Sequence, residues 1–419
     1  MLSTQQNITI RSGRLARFIQ VDPGVAGMNS EVKSDPIANE FSGLRRLEHS
    51  LPSSWYFDPA QYHRELRDIW YRNWIYLCRA DSVAAPASFR TFTIGTQPVL
   101  LVRDEAGVLR AFYNTCRHRG SMLCSESAGR LPAKGITCPY HAWTYRLSGE
   151  LARIPSAGRA HHVPIGDTAL YPIALRQWQG FVYVKLDDSS RGFSDNFNAN
   201  TESLAHWPLA ELASGHRLTK RLHCNWKIFW ENYNECLHCP TVHPALSSLV
   251  PIYRRGIMEQ RDDPDWRAHT ADTDPAHRGG LRAGAATWAV DGCSLGHEFP
   301  ALTAEERRVG YHYMTSLPSH YLVAHVDHVR SSRLLPLGPE ETELEIEWLF
   351  PPATLADRDV DIRKVCDFSA QVMAEDGAAC EMNQRGLRSA PHAQGMLMPE
   401  EYDVFRLHQW LRGQLVAPE

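Results

Sequence analysis

Two short stretches, CRHRG from residue 116 and CPYHAW from residue 138, constrain this chain more than anything else in it. They contribute Cys116, His118, Cys138 and His141, one Cys-x-His pair and one Cys-x-x-His pair with nineteen residues between them. Such ligands act together only if two loops are held side by side, which demands a rigid frame. The flanking text offers one. SFRTFTI, PVLLVRDEAGVLRAFYN and GFVYVKLD read as short strands separated by turn residues, which predicts a small antiparallel β domain over residues 76–190 with the ligands at the tips of two hairpin loops.

Zinc accepts two thiolates and two imidazoles in a tetrahedron. Zinc fingers, however, usually place both cysteines in one half and both histidines in the other, whereas here each half brings one of each. That order suits a [2Fe-2S] cluster in which two thiolates take one iron and two imidazoles the other. Neutral imidazoles remove negative charge and raise the reduction potential, so the cluster becomes an electron acceptor and relay. Cys124, six residues after His118, reads as a buried thiol, since the set is complete without it. On these residues the stretch resembles the Rieske domain of the ring-hydroxylating oxygenase α-subunits.

The rest of the chain is mixed. DPAQYHRELRDIWYRNW offers Asp58 as a cap, Pro59 at the first helical position, and Tyr62, Leu66, Ile69 and Trp70 at helical spacing, so a helix packed on a core is expected there. NWKIFWENYNECLHC reads as helical, HYLVAHVDHVRSSRLLPL and ETELEIEWLF as strands, and VDIRKVCDFSAQVMAEDGAACEMNQRGL as a long terminal helix. The fold class is therefore α+β. We expect an N-terminal arm over residues 1–45, a helical part of the catalytic domain over 46–75, the Rieske [2Fe-2S] domain over 76–190 and a catalytic domain over 191–419. The resemblance implies an antiparallel sheet with helices of the helix-grip type for the last. The Gly and Asp-rich segment 260–298 reads as a surface excursion or a cover for the active site.

A second constellation lies in NYNECLHCPTVHP, residues 232–244. Read as a helix, it places Glu235 and His238 on one face, while Pro240 disturbs the next turn and frees His243 to reach the same point. Two imidazoles and one remote carboxylate would form a facial triad on ferrous iron, leaving positions open for oxygen and substrate. Cys236 and Cys239 invite a zinc or dithiol reading. A structural zinc would need a closed four-ligand shell and a redox pair usually opens a helix, so both are expected to be packing residues. Glu375, Asp376, Glu381, Asp361 and Asp367 are the late-helix carboxylates from which the third ligand could come.

The resemblance selects among them. In those oxygenases the third ligand is an aspartate on such a late helix, which implies Asp376. It also implies that Glu235 is not a ligand but a bridge, carrying the electron from His141 of one subunit to His238 of the next within a homotrimer. Aromatic dioxygenases carry Asp at that position. Glutamate in this setting looks like the branch acting on carnitine, glycine betaine and stachydrine.

Function follows as an expectation. With 44 basic against 48 acidic residues and a net charge of −4, the chain has no electrostatic footprint for nucleic acid or a membrane surface, so a small-molecule partner is expected. The amino-terminal text has no continuous apolar run, which predicts a cytoplasmic protein. No G-x-G-x-x-G follows a predicted strand, so a separate flavin and iron-sulfur reductase is expected to deliver electrons. The resemblance implies a terminal oxygenase with a Rieske cluster and mononuclear Fe(II), using O2 to hydroxylate or N-demethylate a small quaternary ammonium or N-methyl compound. Trp288, Tyr311, Tyr313, Tyr321 and Trp348 are candidates to face a cation. Aromatic-ring hydroxylation, a Rieske electron carrier and a zinc-stabilised binding protein are the competing readings.

Overall fold

The computed structural model describes residues 41–132, 135–155, 168–187, 192–193 and 201–415; residues 1–40 of the expected arm lie outside them. The first helix forms as its cap predicts: the Asp58 side chain accepts the Ala60 N–H at 2.8 Å and α1 runs Pro59–Glu65, then widens into a π-type turn over Leu66–Trp70. Tyr62, Leu66, Ile69 and Trp70 are all buried in the largest apolar core. Just before it, strand Glu48–Pro52 pairs with Gln394–Leu397, which ties the start of the described chain to its far end.

The predicted strands assemble into a seven-stranded antiparallel sheet. Its spatial order is Ile75–Arg79, Phe181–Lys185, Pro172–Trp178, Leu109–Tyr113, Gln97–Arg103, Ser88–Ile94 and Ala128–Arg130. Beside it a small three-stranded sheet, Ile136–Thr137, Thr144–Tyr145 and Leu151–Arg153, forms the hairpin that presents Cys138 and His141.

A five-stranded antiparallel sheet organises the rest. In order it contains Ala213–Leu222, Glu341–Phe350, Val329–Gly338, His320–His325 and Tyr311–Ser316. One face, with Tyr313, Tyr321, Val323, Ile346 and Trp348, joins the core shared with α2 (Trp226–Tyr233) and with α4 (Arg363–Gly386), a 24-residue helix. The other face, with Met314, Leu322, Ala324 and Leu349, packs on a second core. This is the sheet-and-helix arrangement expected.

The long helix read through NWKIFWENYNECLHC is shorter than expected. Asn225 caps it, accepting the Lys227 N–H at 3.0 Å, but it ends at Tyr233, where the Asn234 side chain turns back to donate to the Trp230 carbonyl at 2.6 Å. An asparagine that satisfies a last-turn carbonyl itself removes the reason for the helix to continue. Segment 260–298 is no loose excursion: Thr287, Trp288 and Ala289 are buried, and Trp288 lines the cavity described below. No described helix is long and apolar enough to cross a membrane.

Candidate functional site

Because α2 stops at Tyr233, Glu235 and His238 sit in a turn rather than on a helix face. The turn still joins them: Glu235 Oε1 lies 2.5 Å from His238 Nδ1, and Oε2 accepts the His238 backbone N–H at 3.3 Å. Pro240 breaks nothing. It occupies the first turn of the short helix α3 (Cys239–Val242), where a missing N–H is tolerated, and His243 lies between α3 and the next helix, Pro244–Leu249. Cys236 and Cys239 are joined in a disulfide rather than packing as separate thiols; the turn brings their Cα atoms to 4.9 Å, within bridging range.

The late helix delivers its carboxylates by periodicity. Val365, Ser369, Val372, Met373 and Cys380 are buried along one stripe of α4, and Asp376 falls within it, four residues after Val372 and four before Cys380. Asp376 Oδ1 is therefore 2.8 Å from His243 Nε2 and 3.4 Å from His238 Nε2. Asp361 and Asp367 stay at the surface, Asp367 paired with Arg363, and Glu381 accepts the His223 N–H at 3.0 Å. Glu375, another of the candidate carboxylates, reaches the outer nitrogen of a ring instead: its Oε2 lies 2.7 Å from His243 Nδ1, and its Oε1 accepts from Gln371 at 2.9 Å.

The two rings are thus held alike. Each has Nδ1 on a glutamate, Glu235 or Glu375, and each turns Nε2 toward Asp376. Burial opposes an imidazolium at His238, yet Asp376 and Glu235 overcome it and push the group up to about 10. Burial likewise opposes charge on His243, which Asp376 and Glu375 nonetheless raise. Asp376 is held down to about 2 by the two rings, against the effect of its own burial. One ligand atom from each of the three lies within 4.8 Å of the others. A divalent cation displaces protons from such a set, and two imidazoles with one carboxylate suit ferrous iron with positions left open. A second group, Asp263, His269 and His277, meets the same distance, but Arg255 already pairs with Asp263 and lies 3.2 Å from His277 Nδ1.

The other four predicted ligands also come together. Cys116 and Cys138 are buried and their thiols interact directly, while His118 and His141 face outward with ring centroids 4.7 Å apart. The Cys138 loop is the tip of a hairpin; the Cys116 loop is closed by its own N–H to the Ser121 carbonyl at 2.8 Å. The buried Tyr145 hydroxyl lies 3.2 Å from Cys116 Sγ and accepts the Arg117 N–H at 3.1 Å. Burial raises the Cys116 thiol; at Cys138 it is overcome by the His141 and Tyr140 amides, which hold the group below its ordinary value. Sulfurs inside with hydrogen-bond donors aimed at them, and imidazoles outside, fit a [2Fe-2S] cluster. Cys124 is a buried thiol beneath the loops, as expected.

A Rieske [2Fe-2S] domain model matches residues 73–172, and a model of the ring hydroxylating alpha subunit (catalytic domain) matches residues 209–417. The chain belongs to the Rieske ring-hydroxylating oxygenase α-subunit family. It is 28% identical over 397 residues to the glycine betaine monooxygenase oxygenase subunit of Chromohalobacter salexigens, covering 89% of this chain and 87% of that one. It is 28% identical over 379 residues to the chloroplastic choline monooxygenase of Spinacia oleracea, covering 88% and 78%. The fold matches that of the quaternary ammonium Rieske monooxygenase CntA at a TM-score of 0.69 and 21% identity, covering 89% and 97%.

As a family member the protein is an oxidoreductase whose domains imply a Rieske cluster and a mononuclear iron, and the relatives' names as oxygenase subunits imply a separate reductase. The carrier and zinc-stabilised readings are set aside by the catalytic domain. His238, His243 and Asp376 open onto a cavity. Of the five aromatic candidates, Trp288 and Tyr313 line it; Tyr321 and Trp348 are packed in the core behind, and Tyr311 stands against Trp288. Tyr233 and Tyr253 also line it, and no sequence period marks them.

Glu375 was the carboxylate whose role sequence reasoning missed. Its only local signal is adjacency to Asp376. Removing a group that orients a metal-binding imidazole costs about 10- to 100-fold in metal affinity, so Glu375→Ala is expected to weaken iron binding by that factor in a chelator competition, with the Rieske spectrum unchanged. Iron binding equal to wild type would show that the His243 contact does no orienting.

Proposed function

We propose that this chain is the terminal oxygenase that hydroxylates a methyl group of a small quaternary ammonium or N-methyl compound, releasing formaldehyde. The convergence of His238, His243 and Asp376 at a cavity walled by Tyr233, Tyr253, Trp288 and Tyr313 carries this reading. Aromatic faces attract a desolvated cation, and the ring hydroxyls of Tyr253 and Tyr313 are tied together at 2.7 Å, which fixes two of those faces.

In this reading Cys116, His118, Cys138 and His141 hold the [2Fe-2S] cluster, and His238, His243 and Asp376 hold the mononuclear iron. When bound, the iron supplies reductive activation of O2. Glu235 and Glu375 hold the two imidazoles by Nδ1 and keep both Nε2 atoms directed at one point. One oxygen atom enters a methyl C–H bond, the other leaves as water with two electrons and two protons, and the hemiaminal loses formaldehyde. The electron path is His141 of one subunit, Glu235 of the next, then His238. Two features support a path between subunits. His118 and His141 lie at the outer side of their loops, and the cluster cysteines belong to a different apolar core from Cys236 and Cys239.

Aerobic purification, metal analysis and low-temperature EPR test the metal assignment: a brown protein with a rhombic two-iron signal and about three irons per chain is expected. Colourless protein with zinc would sink it. Reductase-coupled oxygen uptake with betaines and aromatic acids tests the reaction. Formaldehyde from an N-methyl compound is expected; a diol from an aromatic acid, with no formaldehyde, would replace the reading with ring hydroxylation.

A further inference from the structure

Arg330 has no place in the chemistry above, yet it lines the same cavity as His238, His243 and Asp376. It lies on the central strand of the five-stranded sheet, opposite Val323 and Trp348 on its neighbours, with its side chain among the apolar residues of that face. It is 3% exposed, and neither its Nε nor its Nη1 has a hydrogen-bond partner. No carboxylate among the described residues pairs with it; its guanidinium carbon stands 5.6 Å from the centre of the Trp288 ring.

The fold treats its other deeply buried arginines differently. Arg333, three residues along the same strand, reaches Glu343 at 2.6 Å, Glu345 at 3.5 Å and the Leu77 carbonyl. Arg79 donates to the carbonyls of Gln179, Leu209 and Leu212 at 2.7, 3.1 and 3.0 Å. A guanidinium stays protonated under all ordinary conditions, so an unpaired one held in a closed wall is a standing cost unless something enters to meet it. What meets it best is a carboxylate, whose two oxygens match the planar fork.

We propose that Arg330 binds a carboxylate of the substrate, so that the cavity selects zwitterions: N-methylated amino-acid-like molecules with an anionic group at one end and a methylated nitrogen at the other. The inference rests on the reading above for the cationic end alone. The aromatic walls receive that end, and Arg330 repels any cation that brings no anion with it, so a choline-like alcohol is disfavoured as well as unrewarded.

Calorimetric titration of the reconstituted holoenzyme with glycine betaine, choline and benzoate tests this. A charge-assisted bidentate contact corresponds to about ten- to a hundredfold in affinity, so glycine betaine is expected to bind tighter than choline by that factor. Arg330→Met should abolish the preference, Arg330→Lys should restore part of it, and the iron content and Rieske spectrum should stay as in wild type. Equal binding of glycine betaine and choline, or a preference that survives Arg330→Met, overturns the proposal. Arg330-dependent binding of benzoate with no binding of either methylammonium compound would leave the carboxylate assignment standing and remove the N-methyl reading. If neither carboxylate binds, the assignment falls.

Discussion

Asp376→Ala is expected to yield a brown, folded protein that has lost its mononuclear iron and its oxygenase activity. The carboxylate is the one group that both His238 Nε2 and His243 Nε2 approach, at 3.4 and 2.8 Å. Without it two imidazoles remain, too few to hold a labile divalent ion in a site with open positions. Loss of a mere orienting group costs about 10- to 100-fold in affinity, so loss of a ligand should exceed that, and turnover should fall at least about a hundredfold. Metal analysis should fall from about three irons to about two, with the two-iron EPR signal intact. Retention of the third iron, or loss of the Rieske signal, would count against the assignment. Glu235→Gln is the contrasting variant. On the proposed electron path it should keep both metals and slow the reoxidation of the reduced cluster in stopped-flow measurements, since glutamine can still hold His238 Nδ1 but no longer carries the bridging carboxylate.

The second large effect is on stability. Lys227, at the start of α2, is fully buried against Glu65, with Nζ 2.7 and 2.8 Å from the two carboxylate oxygens and 2.9 Å from the Trp55 carbonyl. Burial pushes the ammonium down and Glu65 pulls it back. Trp226 Nε1 and Gln61 also donate to Glu65, at 2.9 and 3.0 Å, so the pair joins α1 to the helix that leads into the iron-site turn. Lys227→Met leaves Glu65 buried and uncompensated, which costs about 3–5 kcal/mol. The double variant Lys227→Met with Glu65→Leu should recover part of the loss, because an apolar pair has no charge to strand. Denaturant unfolding checks both. A single-variant cost under about 1 kcal/mol would mean that Glu65 finds water or takes a proton.

Much of the arrangement could be read before any fold was known. The alternation in SFRTFTI and PVLLVRDEAGVLRAFYN gives strands Ser88–Ile94, Gln97–Arg103 and Leu109–Tyr113, because period-two patterning and a turn are local properties. Asp58 and Pro59 marked the start of α1 for the same reason. The end of α2 was not legible. Asn234 could have continued the helix, and only its bond back to the Trp230 carbonyl decides that it stops.

The same division runs through the site. The sequence by itself determined the local pairs, Cys116 with His118, Cys138 with His141 and Glu235 with His238, since a few residues of tight turn fix what such side chains can reach. Spacing left several late-helix carboxylates open; the resemblance implied Asp376, and it is the packing of its helix that puts this one on the buried stripe. Only the tertiary structure decided that Glu375 orients His243, that Cys236 closes on Cys239, and that Arg330 stands unpaired beside the triad. The first joins residues 132 apart in the chain, and the last depends on every residue that might have neutralised a charge and does not. Neither leaves a period or a spacing in the sequence, because each is set by how a sheet face and a helix face meet in space.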